Sequence, residues 1–139
     1  MFALLFAAAL TLSAAQDDEE PAARPRPPIV YGGAGYQAAF DRAQRYERDN
    51  RANEYRERVF GPAVNPQITA IFRTCVGPPT SAPRAAFVAV VSFDAEGAAD
   101  GVYVDVRTPQ SQCMAERLVD LRAPRPPVRD FAEEIRIQP

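Results

Sequence analysis

The sequence predicts an α+β fold: a small antiparallel three-stranded sheet (hairpin, helix, strand) with helices on one face, preceded by an N-terminal helix. Three observations predict it. Apolar residues recur at helical spacing over residues 36–59 and 66–75. The period changes to two over residues 87–106, around one Asp-to-Gly turn. It then returns to helical spacing after Thr108 and to alternation after Phe131. Elements in this order pack as two layers, helices on a sheet.

The chain has 139 residues, a formal net charge of -2, 14 Pro, 7 Gly and 2 Cys. That length suits one small domain with tails. All 16 basic residues are Arg, and His and Lys are absent. Without His there is no Ser-His or Cys-His nucleophile pair and no His metal ligand. Without Lys there is no Schiff base and no P-loop. The balanced charge argues against a nucleic-acid or membrane-surface footprint. No cofactor and no metal site is expected.

Residues 1–15, MFALLFAAALTLSAA, read as a signal peptide. The apolar run from Phe2 to Leu12 is too short for a bilayer span, which needs about 20 residues. Ser13-Ala14-Ala15 supplies the small residues of a cleavage site. The expected location is therefore periplasmic or secreted, in a Gram-negative bacterium, with no stable membrane anchor after cleavage. Export exposes the two cysteines to oxidising conditions, so a Cys75–Cys113 disulfide is expected. The alternative, a reactive thiol pair, lacks the C-x-x-C spacing.

Residues 16–35 are expected to be a disordered Pro/Gly-rich acidic linker. The acidic run Asp17 to Glu20 reads as a solvated tail. Gly33-Ala34-Gly35-Tyr36-Gln37-Ala38 matches G-x-G-x-x-A, with Glu54 near the distance of a ribose-binding acid. A dinucleotide site needs a preceding strand and a full βαβ unit, and only Ile29-Val30-Tyr31 is apolar ahead of it.

Residues 36–62 are expected to form a charged helix. Tyr36, Phe40 and Ala43 make its apolar stripe. Asp41–Arg45, Glu47–Arg51 and Glu54–Arg58 have the i,i+4 spacing of helical ion pairs. The second half has little apolar surface, so docking is expected through the first turns, with Gly61-Pro62 as the stop. Residues 63–139 are expected to be a disulfide-stapled α+β domain. In it, Ile68, Ile71 and Phe72 form a short helix opened by Asn65 and Pro66. Gly77-Pro78-Pro79 ends it.

Phe87, Ala89, Val91 and Phe93 then alternate through a strand. Asp94-Ala95-Glu96-Gly97 is the turn, and Val102, Val104 and Val106 alternate in the second strand of a hairpin. Thr108-Pro109 starts a helix carrying Met114, Leu118 and Leu121. Pro124, Pro126 and Pro127 stop it. Phe131, Ile135 and Ile137 alternate with Ala132, Glu134 and Arg136 in the last strand.

These pieces, from about residue 66 to residue 138, resemble the TonB C-terminal domain and its small exported relatives. The resemblance rests on the helix ending near Cys75 and the valine-rich strand Phe87 to Phe93. It also rests on the D-x-x-G turn, Val102 and Val104, and the step Pro124-Arg125-Pro126-Pro127. It implies a free-standing relative without the anchor. It further implies a non-catalytic periplasmic module that binds an extended peptide by strand addition to a sheet edge. The candidate edge is the last strand, with Phe131, Glu133, Ile135 and Ile137. Such an edge could also pair two copies of the chain as a homodimer. Two further readings are a secreted inhibitor or envelope structural protein, acting through loops such as residues 77–84, and a small hydrolase using Glu133 with Asp105.

Overall fold

The structure is a computed structural model that describes residues 23–77 and 85–138. The fold is α+β, built on a four-stranded mixed sheet in the order β1-β3-β2-β4. The strands are β1 (Ile29–Tyr31), β2 (Phe87–Phe93), β3 (Ala99–Val104) and β4 (Ala132–Ile137). The helices are α1 (Gly33–Glu47), α2 (Asn50–Tyr55), α3 (Gly61–Cys75) and α4 (Pro109–Leu118). A single π-helical turn, Arg56–Phe60, joins α2 to α3.

The expected hairpin is present. β2 and β3 pair antiparallel, with Val91 opposite Val102 and Ala89 opposite Val104. The Asp94 carboxylate closes the turn by accepting from the backbone N–H of Glu96 and Ala98 at 3.0 and 2.9 Å. Gly97 is required there. Its φ is +92°, and a Cβ would lie 1.9 Å from the Ala123 carbonyl oxygen. Val106, expected in β3, falls past its end and is exposed.

Three sequence expectations need correction. First, the sheet has four strands, not three, and is mixed. Ile29–Tyr31, assigned to the linker, is β1, parallel to β3 with Val30 opposite Tyr103. It satisfies the edge of β3: Val102 N–H donates to the Pro28 carbonyl at 3.0 Å, and Gly32 N–H to Val104 at 2.7 Å. The 33–35 glycine run is no linker either, because it forms the first turn of α1.

Second, helices cover both faces of the sheet. The period-2 alternation of β2 sends Phe87, Ala89, Val91 and Phe93 into a main core with residues of α2, α3 and α4. Val90 and Ala132 face the other way, against Ala39 and Ala43 of α1. The two alanines let α1 lie close on the sheet.

Third, residues 36–62 are not one helix. Arg48 and Asp49 interrupt it, and the Asp49 side chain caps α2 by accepting from Ala52 N–H at 2.9 Å. Glu47 and Arg51 thus lie in different helices, and Arg51 instead donates to the Pro127 carbonyl at 3.0 Å. Of the three expected pairs, Glu54–Arg58 is a salt bridge, at 3.2 Å. Nor does docking rest on the first turns alone. Ala52, Tyr55 and Phe60 are buried in the main core. Gly61-Pro62 does not stop the helix but opens α3, and Pro66 lies inside it rather than at its start.

The π turn explains the run of buried positions. Ala52, Tyr55, Phe60 and Val64 step by three, five and four residues along one face. The five-residue step matches the wider i→i+5 turn. It places Phe60 edge-on to Phe93 and Phe131, with ring centroids 5.4 Å apart in each case. Tyr55 meets Phe131 edge-on at 5.2 Å. Such pairs add about 0.5–1.5 kcal/mol beyond burial.

The helix expected after Thr108 is α4, with Thr108 and Ser111 forming a reciprocal capping box. Met114, Leu118 and Leu121 are buried as expected. Cys75, ending α3, is disulfide-bonded to Cys113 in α4. Residues 1–22 lie outside the described residues, and with them the expected signal peptide, its expected cleavage site and the acidic run Asp17 to Glu20. Among the described residues no helix is long and apolar enough to cross a membrane.

Candidate functional site: the β4 edge and its groove

Among the described residues β4 pairs with β2 alone and ends the sheet. Its register, Ala89 opposite Ile135 and Val91 opposite Glu133, decides which of its backbone groups are free. In an antiparallel ladder, successive residues turn their N–H and C=O alternately toward and away from the partner strand. Phe93 N–H donates to the Phe131 carbonyl at 2.9 Å, so the odd residues of β2 bond toward β4. Asp105 N–H donates to the Val88 carbonyl at 3.1 Å, so its even residues bond toward β3. Hence Phe131, Glu133, Ile135 and Ile137 direct their backbone groups inward, to β2. Ala132, Glu134 and Arg136 direct theirs outward.

The residues singled out from the sequence are therefore the ones that hold β4 in the sheet. Phe131, Ile135 and Ile137 are core residues. The outward groups belong to the residues between them. Ala132 is fully buried, which leaves Glu134 and Arg136 as the accessible part of the edge. The opposite edge, β1, has only three residues and follows Pro27-Pro28, a short and blunted edge.

A groove of about 710 Å³ runs beside β4. Glu133, Glu134 and Ile135 form one wall. The π turn and the start of α3 form the other, with Phe60, Pro62, Pro66 and Ile68 giving apolar surface and Arg56 and Glu57 charge. Pro66 brings no N–H to the carbonyl of Pro62, four residues before it. Single π turns recur at functional sites, and here the turn shapes the groove wall.

Two carboxylates flank the edge, one on each face. Glu133 faces the main core and pairs with Arg56, Nε to Oε2 at 2.6 Å, both largely buried. Burial raises the Glu133 pKa above the ordinary 4.5, and the Arg56 hydrogen bond and charge oppose that rise. Glu134 faces α1, where it accepts from the Gln44 side chain at 2.6 Å. Arg136 covers it: the two form a salt bridge in which Glu134 is 6% exposed and Arg136 59%.

The other sequence-level candidates are not brought into a site. Glu133 and Asp105 lie on opposite sides of β2, three residues apart in register, roughly 14 Å from strand spacing and rise. Asp105 instead accepts from Val88 N–H at 3.0 Å. The G-x-G-x-x-A segment does follow a strand and open a helix. However, the next strand in sequence, β2, runs antiparallel to β3 and so to β1. The βαβ unit that dinucleotide binding needs is not formed by these elements. The loop 77–84 lies outside the described residues beyond Gly77. Among the described residues no group of three or more His, Cys, Asp or Glu is placed to hold a metal ion.

No protein-family model, curated protein or solved structure matches the chain.

Proposed function

We propose that this protein is a non-catalytic interaction module of the cell envelope that takes an extended peptide alongside β4, as an added strand. The observation that carries this reading is the outward N–H and C=O of Glu134 and Arg136 beside a groove with apolar walls. Main-chain pairing supplies affinity in strand addition, and pockets for alternate side chains supply selectivity. The groove is positioned to receive the side chain between two edge-bonded peptide residues.

Export is part of the same proposal. The short apolar N-terminus with small residues after it supports it, as does the disulfide that staples α3 to α4. The resemblance to the TonB C-terminal domain points to the same mode of recognition. A second copy of the chain is the competing occupant of the edge.

Proline scanning tests the reading. The N–H of Arg136 points outward, so Arg136→Pro removes an edge donor without taking a bond from the sheet. Random heptapeptides displayed on phage are selected on the wild-type protein and re-screened on Arg136→Pro. Enriched peptides are expected to lose binding to the variant while its far-UV circular dichroism stays native. Peptides that bind both proteins equally, or no enrichment, would contradict strand addition at β4.

A further inference from the structure

The accessible part of β4 reads acidic, apolar, basic: Glu134, Ile135, Arg136. Residues 134 and 136 turn their side chains to the α1 face, and Ile135 turns to the groove face. A strand added antiparallel places one residue directly across from Arg136, the next across from Ile135 and the third across from Glu134. The first and third share the α1 face with their partners. Opposite charges across such a pair stabilise it, and like charges destabilise it.

From this register, and resting on the strand-addition reading, we infer that the ligand is an extended antiparallel peptide with an acidic residue, an apolar residue and a basic residue in that N-to-C order. The acidic residue meets Arg136. The basic residue meets Glu134. The apolar residue between them enters the groove between Ile135 and the wall of Phe60, Pro62, Pro66 and Ile68.

The resting pair is compatible with this exchange. Arg136 now covers the Glu134 carboxylate and is itself mostly exposed. When an acid arrives opposite, the arginine turns outward to it and uncovers Glu134 for the incoming cation. Gln44 keeps its hydrogen bond to Glu134 from α1 and holds the carboxylate in place throughout. The direction of the peptide follows from the same charges. A parallel strand would require the reverse order, basic before acidic.

β4 has this pattern itself, so a heptapeptide with the sequence of residues 132–138 is a ready probe. Its analogue carries Arg in place of the residue corresponding to Glu134. Both are titrated into wild-type protein and into Arg136→Glu, at low salt, by fluorescence anisotropy. Arg136→Glu removes the salt bridge to the nearly buried Glu134, so its far-UV circular dichroism is checked first. If that is not native, Arg136→Gln takes its place and is expected to bind the two peptides about equally. The wild-type protein is expected to bind the parent peptide about tenfold more tightly than the analogue. Arg136→Glu is expected to reverse that order, and added salt to shrink both differences.

Equal binding of the two peptides to the wild type would overturn the charge order and leave edge addition standing. Tighter binding of the analogue to the wild type would overturn the antiparallel direction. Binding of neither peptide to either protein would overturn strand addition as well. A dimer that sedimentation shows intact at saturating peptide would overturn the proposal by assigning the edge to a second copy.

Discussion

Arg56 and Glu133 are joined, Nε to Oε2, at 2.6 Å, across the groove between the π turn and β4. One ion pair thereby fixes the distance between the two walls of the site. Its partners are 21% and 18% exposed, so neither is well solvated. Breaking such a pair from one side leaves the other charge buried without its partner, which typically costs about 3–5 kcal/mol for a fully buried pair. Arg56→Ala is expected to destabilise the fold and widen the groove, with the loss reduced in proportion to the residual exposure. Denaturant unfolding measures it, and an unchanged midpoint would contradict the assignment.

The same carboxylate sets a pH dependence. Burial, the largest cause, raises the Glu133 pKa above 4.5 in the folded protein. A carboxyl with a raised folded pKa binds more protons folded than unfolded, so its contribution is fully present below the unfolded value. That contribution is lost as pH rises through the folded value. Glu133→Gln removes the titration. The stability of the variant relative to wild type is therefore expected to rise as the pH increases from below the ordinary carboxylate value of 4.5 through the raised folded value. A relative stability that falls over this interval would show that Arg56, not burial, dominates.

Cys75–Cys113 closes a loop with a sequence separation of 38 and ties the end of α3 to α4. Chain entropy assigns such a link about 4 kcal/mol. Replacing both cysteines by alanine is expected to lower stability by about that amount without altering β4 or its groove. Thermal unfolding with and without reductant measures the effect. Indifference to reductant in the wild type would contradict it.

Phe131 sits where Tyr46, Tyr55, Phe60 and Phe93 meet, and it is fully buried. It immediately precedes β4, so it positions the edge strand under the π turn. Phe131→Ala is expected to cost about 3–5 kcal/mol. Phe131→Leu is expected to lose less, because it keeps most of the volume. Equal losses would place the energy in the ring contacts rather than in the filled space.

The sequence made some of this legible and hid the rest for physical reasons. The alternation from Phe87 to Phe93 and the turn at Asp94 to Gly97 are local signals, and both elements form where those signals lie. The cap at Thr108 and the cysteine pairing were legible too. β1 was hidden because three residues beside prolines carry almost no periodicity. Its parallel pairing with Val102 to Val104 is a contact between residues more than seventy positions apart. The break at Asp49 was hidden by an unbroken run of charged residues. The Tyr55-to-Phe60 step was readable but looks like a loss of helical period unless a π turn is considered. The sequence assigns the candidate edge to Phe131, Glu133, Ile135 and Ile137, whose backbone groups turn inward to β2. Composition marks Phe131, Ile135 and Ile137 as apolar, whereas the direction of a backbone group depends on register, which no single strand contains.

The most direct test is amide hydrogen exchange across β4, followed by NMR with and without the heptapeptide of residues 132–138. The outward amides of Glu134 and Arg136 are expected to exchange fast in the free protein and to gain protection when peptide binds. The inward amides of Glu133 and Ile135 are expected to be protected in both states. Protection at Glu134 and Arg136 that does not change with peptide, or that appears at β1 instead, would contradict strand addition at this edge.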